Sequence, residues 1–159
     1  MFSSLVNPQM YVVTCSYDDE QSGCLVGFAT QCSMQPPRFL ICLSIENHTY
    51  KLANSASALA VHLLTDNDRG IASLFGEQTG DNVDKFATVS WHVGALGAPI
   101  LADCDVFFEG RILAKVPFGD HVGFVLAPVD ESAVPVTIDG APLTLHDVES
   151  FHPGHPVAG

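Results

Sequence analysis

GCLVGFATQCSMQPPRFLICLS, Gly23 to Ser44, carries a single charge, Arg38, and is broken once, at Pro36–Pro37. Proline lacks the N–H that a sheet ladder needs, so the pair divides the run into two apolar arms that read as strands, Cys24 to Ser33 and Arg38 to Ser44. The first arm is unusual. Gly23, Gly27 and Ala29 are weak strand formers, and a glycine inside a strand marks a bulge or the close approach of another group. Thr30, Gln31 and Ser33 set hydrogen-bonding groups beside them. The arm therefore reads in two ways: a strand relieved by a bend at Gly27, or a backbone floor cleared for a flat ligand.

Outward from this stretch the chain is mostly strand. Met10 to Ser16 is β-rich and is followed by the polar turn YDDEQSG. Ala58 to Leu64 is a further strand. Asp103 to Val116 alternates, with Val106, Phe108, Ile112 and Ala114 on one side and Asp105, Glu109, Arg111 and Lys115 on the other, the period of two that marks a strand. His121 to Pro128 reads as its hairpin partner, and short strands near Val136 and Leu143, joined by an Asp139-Gly140 turn, close the pattern. Two helices are predicted. Asp66 to Phe75 has Thr65 or Asp66 as N-cap and Gly76 at its end. Asn47 to Ser55 has Asn47 or Thr49 near its cap. Many strands with few helices predict a mainly β fold, a small barrel or sandwich.

The 159 residues suit one domain, here residues 1–150, with a flexible tail over 151–159. The H-x-x-H spacing at His152 reads as part of this mobile end rather than as a metal site. No apolar run reaches the length of about 18 residues of a membrane span. The opening MFSSLVNPQMY has no basic segment before an apolar one, so the reading is a cytoplasmic protein. Eighteen acids against six bases, a net charge of −12, leave no basic surface for nucleic acid or anionic membranes. The five cysteines contain no C-x-x-C pair and read as reduced, buried thiols. His62 reads as a structural strand residue, and Trp91 as a core or interface anchor.

The second arm runs directly into the Asn47 helix. A helix start presents unpaired backbone N–H groups and a positive dipole end, and Ser44, Asn47 and Thr49 add polar side chains, with Lys51 nearby. These residues read either as plain capping or as an anion site.

The stretch GCLVGFATQCSMQPPRFLICLSIENHTYKLA, followed in order by DKFATVSWHVGALGAPIL and GDHVGFVLAPV, resembles the flavin reductase-like family over roughly residues 5 to 130. The resemblance implies a closed antiparallel split β-barrel with a few short helices, assembled as a homodimer with flavin at the interface. It implies FMN or FAD as the flavin and NADH or NADPH as the hydride donor, with reduced flavin passed to a partner monooxygenase. A flavin-retaining oxidoreductase or electron carrier of the same fold, and a non-catalytic flavin binder, are the alternatives. Carried onto this sequence, Val26, Gly27, Phe28, Ala29 and Thr30 line the flavin, largely through backbone groups, with Ser33 and Ser44 beside them. Asn47, His48 and Thr49 hold its phosphate, Lys85 and Phe86 lie near the ring or its entrance, and His121 sits beside the flavin and nicotinamide. The chain departs from the pattern at Leu25, Gly27 and Phe28, where many relatives have threonine and serines. The site loses hydroxyls there and gains an aromatic ring, which either packs on the flavin or fills the core.

Overall fold

The structure, a computed structural model, describes residues 2–79, 82–131 and 137–154. Seven strands form one antiparallel sheet: β1 (Tyr11–Tyr17), β2 (Glu20–Val26), β3 (Ala29–Met34), β4 (Pro37–Ser44), β5 (Ala58–Leu63), β8 (Phe107–Pro117) and β9 (His121–Glu131). Their order is β2-β1-β5-β8-β9-β4-β3, and the short strands β6 (Trp91–Val93) and β7 (Pro99–Leu101) pair separately. The helices are α1 (His48–Ala53) and α2 (Arg69–Glu77).

The mainly β expectation holds, but the ladder is open: β2 and β3 are its two edges. The reason lies in the quoted stretch. The expected strand Cys24 to Ser33 is two strands, interrupted at Gly27 and Phe28. A Cβ on Gly27 would approach the Met10 sulfur at 3.2 Å, so the bend packs closely on the segment that leads into β1. Beyond it, Phe28 O accepts a hydrogen bond from Cys42 N at 2.9 Å, which hands the chain from one end of the sheet to the other.

Two cores flank the sheet. The first lies between the sheet and α1, where Val13, Ile41, Leu43, Leu52, Leu59, Phe124 and Leu126 meet. The second packs Met10, Val12, Leu64, Ala72, Phe75, Phe86, Leu101 and Val148 behind β1 and β2. Phe151 joins this second core, and Gly154 N donates to Gly76 O at 3.3 Å. Residues 155–159 of the expected tail and Val136 of an expected short strand lie outside the described residues. Near Leu143 the strand is reduced to two isolated bridges, Gln9 with Thr144 and Thr65 with Pro142.

Several expectations shift for local reasons. A 3-10 turn at Asp66–Asp68, closed by a Thr65–Asp68 capping box, precedes α2. Gly76 lies inside α2 rather than after it, and its lack of a side chain serves packing: a Cβ there would sit 2.8 Å from the Leu25 side chain of β2. Glu109, expected on a solvated face, is fully buried beside two bulges, one at Glu109–Gly110 and one at Ile112–Ala114. Its carboxylate accepts hydrogen bonds from Leu96 N at 3.0 Å and Ala98 N at 3.1 Å. All five cysteines are free, but only Cys15, Cys24 and Cys104 are buried; Cys42 is half-buried and Cys32 is exposed on the edge strand β3. Among the described residues no helix is long and apolar enough to cross a membrane.

Candidate functional site

The bend at Gly27, the end of β4 and the start of β9 surround a cavity of about 310 Å³. Leu25, Val26, Gly27 and Phe28 line one side, and Cys42 to Asn47 line another. The tight turn before β9 brings in Asp120 and His121, and Pro8, Met10 and Leu145 arrive from the two ends of the chain. The register explains the convergence: Ser44 is paired with His121 across β4 and β9, and Ile45 N donates to Asp120 O at 3.0 Å. Gly119, with φ at 151°, makes the reversal into β9.

Six residues expected at a flavin site meet here: Val26, Gly27, Phe28, Ser44, Asn47 and His121. Asn47 caps α1, its Oδ1 accepting from Thr49 N at 2.9 Å. His121 Nδ1 is 2.8 Å from an oxygen of Asp120. That hydrogen bond, with the attraction of the ring, holds the Asp120 carboxyl below the usual range. Phe28 does not fill the core: it is 58% exposed, and its ring lies 5.0 Å from that of His121, tilted by 53°.

The other expected residues stand apart from the cavity wall. Ala29, Thr30 and Ser33 follow on β3, where the Thr30 hydroxyl donates to Gln31 O at 3.2 Å. His48 Nε2 lies 2.7 Å from a Glu20 oxygen. Thr49 is buried, its hydroxyl 2.9 Å from that of Ser22. Lys85 is buried behind β2, its ammonium donating to Gly23 O and Phe75 O at 3.1 Å each. Burial lowers its pKa. Phe86 packs edge-on to Phe75 and Trp91 in the second core.

Sequence reasoning missed the rest of the lining, among it Pro8, Met10, Cys42, Glu46, Asp120 and Leu145. Asp120 had a signal, its place next to His121; the residues from the chain ends had none. Burial pushes the Cys24 thiol up to about 11 and also raises Cys42, so both are protonated at neutral pH and neither offers a thiolate. Among the described residues no group of His, Cys, Asp and Glu is placed to hold a metal. What remains is a mostly apolar cavity with a few oriented polar groups, the general make-up of a small-molecule pocket.

The flavin reductase like domain family matches residues 3–153. The chain belongs to that family. A probable flavin reductase of Rhizobium meliloti is 31% identical over 115 residues, covering 70% of this chain and 35% of that protein. The FMN reductase (NADH) RutF of Agrobacterium fabrum is 32% identical over 108 residues, covering 65% of this chain and 62% of that protein. Among solved structures, an NADH:FAD oxidoreductase of Streptomyces globisporus C-1027 superposes with a TM-score of 0.75 at 26% identity, covering 82% of this chain and 78% of that one. The chain thus spans between about a third and two thirds of the length of these two curated relatives.

Proposed function

We propose that the protein is an NADH-dependent flavin reductase that takes FMN in this cavity, with FAD as the larger alternative. The observation that carries the reading is the convergence of Val26–Phe28, Ser44–Asn47 and Asp120–His121 on one cavity. Its volume of about 310 Å³ falls at the lower end of the range of roughly 300–1,000 Å³ typical of small-molecule sites. The chemistry bound flavin would supply is acceptance of a hydride at N5 from the reduced nicotinamide, with one proton taken up from solvent. The chain's residues bind, orient and exclude water. The backbone of residues 25–28 forms the floor under the ring system, and the Ser44–Thr49 segment takes the phosphate. Thr49 serves there by fixing the helix start, since its hydroxyl is engaged with Ser22. His121, held by Asp120, faces the nicotinamide.

The protein is proposed to act as a homodimer. The outer side of β4, β9 and β8 supports this: Leu40, Val125 and Ala114 share a row of the register, and Val116 is 38% and Phe118 61% exposed beside them. A contiguous apolar face of this kind fits a second copy of the chain. The closed barrel expected of the family is proposed to be completed where β2 runs past β4, and the bond from Cys42 N to Phe28 O supports it. A flavin-dependent monooxygenase is the proposed recipient of reduced flavin, on the strength of the resemblance. Five free cysteines suit a reducing compartment, and the cytoplasm is the proposed setting.

Anaerobic mixing of the protein with FMN and NADH tests the activity. Protein-dependent bleaching of the flavin's visible absorbance is the expected result. Binding of FMN without bleaching by NADH or NADPH would instead make the protein an electron carrier fed by another donor, or a flavin binder. For the phosphate segment, Asn47→Ala should weaken FMN at least tenfold more than riboflavin; equal losses would remove that assignment.

A further inference from the structure

We infer that Phe28 helps to hold the hydride donor, its ring and that of His121 forming one aromatic wall at the cavity mouth that stacks against a nicotinamide. The inference rests on the reductase reading above and adds a subsite to it.

Three observations converge. Phe28 is a large aromatic side chain left 58% exposed although an apolar core lies directly behind the strand. An exposed ring forgoes the burial that ordinarily holds aromatics in place. Secondly, the residue is fixed: its carbonyl accepts from Cys42 N at 2.9 Å, and its ring meets His121 at a centroid distance of 5.0 Å, within the range of favourable ring pairs. His121 is fixed in turn by Asp120 at 2.8 Å. Thirdly, both rings line the cavity, while its floor comes from the neighbouring residues Leu25 to Gly27 and from Leu43.

A flat ligand lying on the floor therefore leaves the two rings at the rim, where a second flat ring arrives from solvent. A nicotinamide is such a ring. Pre-ordered rings lose little freedom on binding, so stacking contributes to affinity rather than to the rate of the hydride step. A stacking pair is worth about 0.5–1.5 kcal/mol beyond area, which at 1.4 kcal/mol per decade is at most about tenfold in affinity.

The test uses the FMN-loaded protein as wild type, Phe28→Leu and Phe28→Tyr. Leucine keeps an apolar side chain and removes the ring; tyrosine restores the ring. Affinity for NAD+, which cannot reduce the flavin, is read by titration calorimetry. KM and kcat for NADH are read by stopped flow, and FMN affinity by quenching of flavin fluorescence. Phe28→Leu should weaken NAD+ and raise KM for NADH by five- to tenfold, with kcat and FMN affinity within twofold. Phe28→Tyr should return both to within twofold of wild type. Unchanged nicotinamide affinity in Phe28→Leu overturns the inference. So does an equal loss for FMN, which would assign the ring to the flavin, and so does tighter nicotinamide binding, which would make the ring a plug. The two readings fail separately. NADH oxidation indifferent to Phe28→Leu removes the stacking wall and leaves the reductase. Ring-dependent NAD+ binding without NADH oxidation removes the reductase and leaves the wall.

Discussion

The two halves of the sheet are built to different rules. In β1 and β5 nearly every residue is buried, from Val12 to Cys15 and from Ala58 to His62, because one face meets the α1 core and the other meets α2, β7 or the chain ends. Polar side chains there are spent inside the protein: Thr14 donates to Pro99 O at 2.5 Å, and His62 bridges two strands. In β4, β8 and β9 only one face is covered. Ile41 and Leu43 are buried while Leu40, Cys42 and Ser44 are not, and β8 is largely exposed beyond Gly110. The cavity lies at the junction, where the chain leaves the doubly covered half at Gly27 and enters the singly covered one. The doubly covered half supplies rigidity; the other supplies surface for ligands and a second copy.

That contrast can be broken by experiment. The largest effect belongs to the covered half: Phe75→Ala, which removes a ring 1% exposed between α2 and β2, should cost about 3–5 kcal/mol in urea unfolding. Next comes His62. Leu101 N donates to its Nε2 at 3.0 Å, so Nδ1 carries the proton and donates to Val12 O. Burial lowers its pKa from 6.5 to about 4. The unfolded chain binds this proton more readily, so the contribution is complete above pH 6.5 and is lost as pH falls towards 4. The loss amounts to about 3 kcal/mol. Urea midpoints across that range should show the slope, and His62→Gln should remove it; a wild-type slope surviving in the variant would assign it to other groups. A smaller loss, about 1–3 kcal/mol, is expected for Thr49→Val, which strands the buried Ser22 hydroxyl. Ser22→Ala added to it should recover part of the loss. Smallest in stability is the exposed half: Leu113→Ala, at a side chain 52% exposed, should stay within about 0.5 kcal/mol for the monomer. Val125→Glu should leave the fold intact yet convert a dimer to monomer in sedimentation velocity. A monomeric wild type would leave the open face without its proposed partner.

Most strands, and the Asn47 cap, were legible because they are written in short-range chemistry: β-branched runs, a proline break and a capping side chain. The alternation in Asp103–Val116 placed Glu109 on the face opposite Phe108, as observed, but could not show that the β6–β7 turn covers that face. It misled at Ala114, which the bulge at Ile112–Ala114 turns away from Ile112, and nothing local announces a bulge. Cys32 was misread because nothing in the stretch from Gly23 to Ser44 reveals that β3 is an edge. At the site, Gly27 was legible as a weak point in the strand, and Phe28 as an aromatic departure from the family pattern. The destination of the Phe28 ring was not, since it depends on a turn more than ninety residues away. Thr49 and Lys85 carry polar groups that look available in sequence, yet β2 supplies their partners, Ser22 and Gly23, through tertiary packing.

The buried carboxylate of Glu109 has a consequence for hydrogen exchange. Leu96 and Ala98 lie in or beside the turn between β6 and β7, where amides ordinarily exchange with solvent quickly. Both N–H groups are directed at a side chain rooted in β8, and a Cβ on Gly94 would collide with that carboxylate, so the turn closes tightly over it. Releasing either amide requires parting the turn from the central sheet and leaving a charge without its donors in a water-poor interior. The clock of this short connector is thus set by its neighbour: its two amides should exchange as slowly as those of β5, and Glu109→Ala should return them to the fast regime of an ordinary loop.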